Sequence, residues 1–245
     1  MQMLMSHMRA AMQKYRMIED GDTIAVGVSG GKDSLALLYA LSEMRRFYPK
    51  KYELKAVTID PMFDSKPCDY TAIEKLCRSL GVEYIVKRTQ LADVIFNQRK
   101  EGNPCSLCAK MRRGMLHDMA KELGCNKIAL GHHLDDAVVT FYMNLLQGGK
   151  IGCFSPVSYL SRKDLYMIRP MVFASEKDVE RAARKAALPV LKSNCPVDNT
   201  TERQKIKELI DGLERQSGYN AIYQKTLGAM QRAAIDGWEI PEDME

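Results

Sequence analysis

The 245-residue sequence predicts an α/β fold, a doubly wound parallel sheet of five strands with helices added at both ends of the chain. Three observations predict it. Short apolar runs rich in β-branched residues alternate with amphipathic segments of roughly 10–15 residues, the pattern of parallel strands joined by right-handed helical crossovers. Glycine-rich and polar clusters follow directly on the strands, where ligands gather in such sheets. A hydrophobic content of 46% against 27% charged residues is enough for one large core.

Each element has a local signature. Residues 3–19 suit a helix packed outside the sheet, and Glu19-Asp20-Gly21-Asp22 turns the chain into a first strand over residues 23–28. A helix-like run spans residues 35–47 and stops near Tyr48-Pro49. The second strand, residues 54–59, closes on Asp60-Pro61. Residues 69–80 place Ile73, Leu76 and Leu80 on one helical stripe that Gly81 ends, and a third strand covers residues 82–86. The fourth strand is residues 127–130 and the fifth residues 165–168, with helices over residues 202–215 and 220–234 completing the chain. This divides the protein into an N-terminal helix (1–20), a main α/β domain (21–195) and a C-terminal helical extension (196–245).

Between the first strand and its helix lies Ser29-Gly30-Gly31-Lys32-Asp33-Ser34. Glycines at such a turn let backbone N–H groups converge, the helix N-terminus adds positive potential, and Lys32 adds a mobile charge, which together cradle phosphate oxygens. The Walker A spacing is not met, and Asp33 stands where Ser or Thr follows the lysine. A second polar cluster, Gly131-His132-His133-Leu134-Asp135-Asp136, opens a helix reaching Leu146. Its aspartates are either first-turn residues favoured by the helix dipole or, beside a phosphate loop, carboxylates for Mg²⁺ and proton handling. Asp60 either holds a ribose or ends its strand, and Arg169 either binds phosphate bidentately or makes a structural salt bridge.

Seven cysteines in a chain without a secretory signal point to metal binding or catalysis rather than to a disulfide framework. Cys105-Ser106-Leu107-Cys108 begins a basic helix carrying Lys110, Arg112 and Arg113. By itself this spacing fits half of a zinc site, a redox pair, a nucleophile with its resolving thiol, or part of an iron–sulfur site. Cys195 offers a third thiolate, whereas Cys68, Cys77, Cys125 and Cys153 read as spare, with Cys77 and Cys125 at core positions.

The loop S-G-G-K-D-S resembles the PP-loop of the ATP pyrophosphatase superfamily, which has an adenine nucleotide alpha hydrolase-like fold. Together with P-C-S-L-C-A-K-M-R-R-G, L-G-H-H-L-D-D, N-L-L-Q-G-G-K and I-R-P, it is similar to the tRNA-cytidine 2-sulfurtransferase group over residues 20–210. The resemblance implies ATP-dependent tRNA thiolation: a pyrimidine C2 oxygen is adenylylated, pyrophosphate leaves, and sulfur displaces AMP. It implies ATP bound by Ser29, Gly30, Gly31, Lys32, Asp33, Ser34, Asp60, Gly131, His132 and Arg169, with Mg²⁺. It implies a 4Fe–4S cluster on Cys105, Cys108 and Cys195, and catalytic roles for Asp136, Asp135, Lys32 and Arg112. The sulfur donor is then sulfide or a cysteine desulfurase persulfide. Two other readings keep part of this chemistry: thiolation of a free nucleobase or other small molecule, and a sulfur-independent ligase. A zinc-held RNA module without catalysis is the third.

Net charge of +5, from 36 Lys and Arg against 31 Asp and Glu, leaves RNA binding to local patches. The candidates are Lys177, Arg181, Arg184 and Lys185 on one helix and Arg203, Lys205 and Lys207 on another. The last helices either wrap a second subunit, as in a homodimer, or extend the RNA surface. No run of eighteen apolar residues occurs, and the methionine-rich N-terminus lacks a signal-peptide core, so a cytoplasmic protein is expected.

Overall fold

A computed structural model describes residues 1–63, 67–95, 104–192, 202–216 and 221–239. The parallel alternation is realised: β1 (Asp22–Gly27), α2 (Lys32–Met44), β2 (Tyr52–Asp60), α3 (Thr71–Ser79), β3 (Glu83–Arg88), α5 (Pro104–Glu122), β4 (Lys127–Ala129), α6 (Leu134–Leu146) and β6 (Leu165–Ile168). Helix α1 (Gln2–Lys14) precedes them, and a single turn, α4 (Leu91–Asp93), lies between β3 and α5. Helices α7 (Glu176–Lys185), α8 (Glu202–Glu214) and α9 (Ile222–Arg232) follow β6.

The sheet corrects the expected strand count. It has six strands among the described residues, in the order β3-β2-β1-β4-β6-β5, and the extra one is β5 (Val157–Leu160). β5 pairs antiparallel with β6, while the other neighbours pair in parallel. It is a four-residue edge strand in a Ser/Tyr segment, too short and too polar to stand out as an apolar run. The first helix is also shorter than expected. Arg16 takes a positive φ of 45°, which ends the helical path and lets Met17 and Ile18 enter the core.

Two layers of helices cover the sheet. On one face α1, α2 and α7 pack their apolar stripes: Leu35, Leu38 and Leu41 of α2, Met8 and Met12 of α1, and Val179 of α7 are buried in one cluster with Ile24 and Val26. On the other face Leu116 and Ala120 of α5 cover Ala25, Val57 and Ile128. Cys77 and Cys125 are buried in these layers, as their apolar positions predicted. A third apolar cluster joins Val138 and Val139 of α6 to Ile206 and Ile210 of α8, which seats the C-terminal helices over the end of the sheet.

The chain's one tryptophan fastens the end of this extension. Trp238 is wholly buried; its indole N–H donates to the Phe154 carbonyl at 2.8 Å, and Tyr15 of the segment after α1 meets its ring edge-on. Asp236 accepts from the Cys153 N–H at 2.7 Å beside it. Trp238→Ala removes a large buried side chain and leaves an acceptor unpaired, so it should destabilise the fold by ~3–5 kcal/mol. Far-ultraviolet circular dichroism during urea unfolding measures this as a lower midpoint.

Candidate active site

The carboxyl ends of β1, β2 and β4 converge on one side of the sheet. The turn after β1 is built for an anion. Gly30 has φ +86°, a backbone a side chain would strain, and Gly31 caps α2 in extended conformation. Ser34 is buried; its hydroxyl accepts from the Ser29 N–H at 3.1 Å and donates to the Gly31 carbonyl at 3.0 Å, closing the loop on itself. The N–H groups of the first turn of α2 therefore face the space above the sheet. Leu191 closes over the glycines, its N–H donating to the Gly30 carbonyl at 3.0 Å.

The second cluster lies directly against this loop. A Cβ on Gly131 would come within 3.1 Å of the Asp33 backbone carbon and 3.2 Å of the Ser34 nitrogen, so a side chain there requires that backbone to give by a few tenths of an ångström. From it the chain enters α6 with Asp136 accepting from the His133 N–H at 3.0 Å, a carboxylate capping its own helix. The two aspartates then diverge. Asp136 also receives Arg203 of α8 at 2.8 Å; burial opposes its ionisation, but His133 and Arg203 bring its pKa below the usual carboxylate range. Asp135 accepts from the Glu176 N–H at 2.8 Å, yet burial pushes its pKa up. Paired carboxyls driven apart in this way can hold a charge and move a proton, respectively.

His133, buried between them, has Nε2 4.0 Å from Asp33 and 3.5 Å from Asp136. His132 points elsewhere. Its ring lies on Phe154 at 5.0 Å, and its Nδ1 accepts from the Arg169 guanidinium at 3.3 Å. Burial, then the neighbouring Arg169 charge, lowers the His132 pKa to about 4. Arg169 itself is buried, with further bonds to the Ser155 carbonyl and the Ser158 hydroxyl and with Phe154 beneath it. It makes no ion pair among the described residues, and its donors serve the β5–β6 edge and His132.

Lys32 is held by two carboxylates, Asp33 at 3.0 Å and Glu176 at 3.0 Å. Burial lowers its pKa, but Asp33 and Glu176 more than reverse this, so it stays charged. Asp60 is buried and used by its own loop, accepting from the Met62 N–H at 3.0 Å and the Cys68 N–H at 3.1 Å.

Two cavities open at this sheet end. One of about 220 Å³ runs between β1, β2 and α5, lined by Gly27, Val28, Ile59, Arg112, Arg113 and His132 among others. The other, about 370 Å³, has Ser29 and Gly31 of the phosphate loop on one wall and Cys105, Cys108 and Arg112 of α5 on another. Cys68, which the sequence left as spare, lines the same cavity beside Asp60. The two CxxC thiols sit one turn apart at the start of α5, Cys105 exposed and Cys108 half-buried. Cys195, the expected third thiolate, lies outside the described residues.

Sequence reasoning missed Glu176 and misread Arg203 and Lys207. Glu176 sits at the first turn of α7, just beyond the end of β6, and Ser175 caps that helix by accepting from the Asp178 N–H at 3.2 Å. A Ser-Glu helix start one short turn past a strand was the available signal. Arg203 and Lys207, four apart on α8, turn to the site rather than to solvent: Arg203 reaches Asp136 and Lys207 pairs with Glu176. Of the α8 cations named for RNA, Lys205 is on the exposed face, paired with Glu202 at 2.6 Å. Lys177, Arg181, Arg184 and Lys185 of α7 are exposed as expected.

A glycine turn feeding a helix at this end of a parallel sheet marks an α/β nucleotide-binding protein of the phosphate-loop kind. Residues 4–213 match the PP-loop domain family. The tRNA-cytidine(32) 2-sulfurtransferase of Geobacter sulfurreducens is 40% identical over 210 residues, 84% of this chain and 81% of its own. That of Dechloromonas aromatica is 38% identical over 219 residues, 89% of this chain and 75% of its own. In three dimensions the chain is similar to the U34-tRNA thiolase NcsA from Methanococcus maripaludis, solved with its 4Fe–4S cluster, at TM-score 0.73 and 23% identity over 93% of this chain and 78% of that one. The chain belongs to the PP-loop family, in its tRNA-cytidine 2-sulfurtransferase branch.

Two predictions follow from this geometry. Gly131→Ala sets a methyl against the backbone of residues 33 and 34, which must shift by a few tenths of an ångström to take it, so it should weaken ATP binding about tenfold or more and destabilise by ~1–3 kcal/mol; calorimetric titration with ATP and thermal unfolding measure the two effects. His132 has a depressed folded pKa, so its contribution to stability is complete above about 6.5 and is lost as pH falls toward about 4. His132→Asn should flatten the dependence of unfolding free energy on pH between those values.

Proposed function

We propose that the chain is an ATP-dependent tRNA sulfurtransferase that replaces the C2 oxygen of a cytidine in the anticodon loop with sulfur, releasing AMP and pyrophosphate. The observation that carries this is a single cavity bordered by both the phosphate loop and the CxxC thiols. It allows activation of an oxygen and delivery of sulfur to occur at one bound base.

The donor chemistry suits a 4Fe–4S cluster: two thiols a helical turn apart line one cavity, with Cys195 as the third donor. When bound, such a cluster would supply a site from which sulfur at the sulfide level is delivered. The chain's own residues do the rest. The amides of residues 30–34 and the Lys32 ammonium hold the β- and γ-phosphates and take the charge that develops as pyrophosphate leaves. The base C2 oxygen attacks the α-phosphorus, and the bond to the β-phosphate oxygen breaks. A sulfur nucleophile at the sulfide level then adds at C2, and AMP departs with the former carbonyl oxygen; a cysteine desulfurase persulfide serves as the source once a two-electron reductant, such as a pair of thiols, has released its outer sulfur as sulfide. Asp136, held ionised by His133 and Arg203, suits contact with Mg²⁺. Asp135, with its raised pKa, suits proton handling. Arg112, on the wall of both cavities, orients the base or the sulfur, and His132 with Arg169 closes the floor.

The RNA surface is the exposed basic face of α7, with the target base splayed from its stack into the cavity. A homodimer through the C-terminal helices is compatible with this placement. No described helix is long and apolar enough to cross a membrane.

Mass spectrometry of tRNA nucleosides from a strain lacking the gene tests the function. Loss of 2-thiocytidine is expected, and an unchanged level would overturn the proposal. Cys105→Ala and Cys108→Ala should each abolish the iron–sulfur absorbance of anaerobically reconstituted protein while ATP affinity changes less than about twofold.

A further inference from the structure

Glu176 occupies the Lys32 ammonium, the charge that the phosphate-loop reading gives to a phosphate. One carboxylate oxygen takes the Lys32 ammonium at 3.0 Å, and the other takes Lys207 of α8. Its main chain is fixed, because the Asp135 carboxylate accepts from its N–H at 2.8 Å and Ser175 caps the helix behind it. The side chain can therefore change partner while its backbone stays still. All three charged groups are about one-quarter to one-third exposed, so their interactions are only partly screened.

We propose that Glu176 is a positioning residue that competes with pyrophosphate for Lys32 and so drives release of that product. The inference rests on the reading of residues 29–34 as the phosphate site. With nucleotide bound, Lys32 turns to the phosphates, and Lys207 keeps Glu176 from being left as an uncompensated, half-buried carboxylate. Once the bond to the α-phosphorus has broken, pyrophosphate is a compact anion on a lysine and a helix N-terminus, an arrangement that holds it firmly. Recapture of Lys32 by Glu176 removes one of those holds. Lys207 sets the strength of the competition: a carboxylate already engaged by Lys207 draws on Lys32 less than a bare one would. Arg203, one turn earlier on α8, fixes that helix to Asp136, so the distance between Lys207 and Glu176 is set by the same docking.

The two partners of Glu176 give effects of opposite sign. Removing its charge should tighten pyrophosphate, and removing Lys207 should loosen it. Calorimetric titration of the full chain with pyrophosphate measures both. Glu176→Gln is expected to bind at least about fivefold tighter than wild type, and Lys207→Gln at least about threefold more weakly. In a Lys32→Ala background the Glu176→Gln gain should shrink below about twofold, since the effect passes through Lys32. In steady state Glu176→Gln should lower both KM for ATP and kcat, a split that simple loosening of α7 does not produce. Equal or weaker pyrophosphate binding by Glu176→Gln overturns the proposal, as does equal or tighter binding by Lys207→Gln if the first variant fails to fold. A wild-type protein that binds neither ATP nor pyrophosphate overturns the phosphate-site reading itself.

Discussion

Gly131 lies against the backbone of Asp33 and Ser34, where an added Cβ would come within 3.1 Å and 3.2 Å. The placing of the two polar clusters rests on that close approach. It brings the turn after β4 onto the turn after β1, so two helix N-termini, those of α2 and α6, begin side by side. Their positive ends and their first-turn carboxylates then share one space. A methyl group at this position would press the turn after β4 away from the phosphate loop by a few tenths of an ångström.

The crowding that follows is handled by pairing. Asp33, Asp135, Asp136 and Glu176 gather within reach of Lys32, Lys207 and Arg203, so this group of described side chains sets four carboxylates against three permanent cations. Left bare, half-buried carboxylates would repel each other and take up protons. Instead each has a donor assigned to it, and the assignments differ. Asp136 is held ionised while Asp135 is pushed toward protonation, from adjacent positions on one helix. Two of the three cations, Arg203 and Lys207, come from α8. That makes α8 part of the site rather than an appendage.

The thiols stand apart from this charge network and share a cavity with Ser29 and Gly31 of the phosphate loop. Cys105 and Cys108 begin α5, whose other residues cover the opposite face of the sheet, and Arg112 one turn on reaches both cavities. One helix thus carries both CxxC thiols and an arginine that lines both cavities. Phe154 does similar work below, carrying the His132 ring and the Arg169 guanidinium on one side and the Trp238 anchor on the other. The C-terminal segment therefore supports the floor of the site as well as its rim.

Sequence alone determined the parallel sheet, the phosphate loop, the aspartate helix and the CxxC helix, because each is a local pattern whose spacing reports its own backbone. It also placed Cys77 and Cys125 in the core, since apolar periodicity reads burial directly. Only the tertiary structure decided the rest. The edge strand β5 exists because β6 offers it a partner, and a four-residue Val-Ser-Tyr-Leu run gives no signal without one. Arg203 and Lys207 look like any charged helix face until α6 fixes which side of α8 faces inward. Glu176 becomes a partner of Lys32 across 144 positions of chain, a distance in sequence over which no local pattern carries information. Long-range ion pairs depend on how elements dock, and docking is set by the packing of the whole core rather than by the residues that end up in contact.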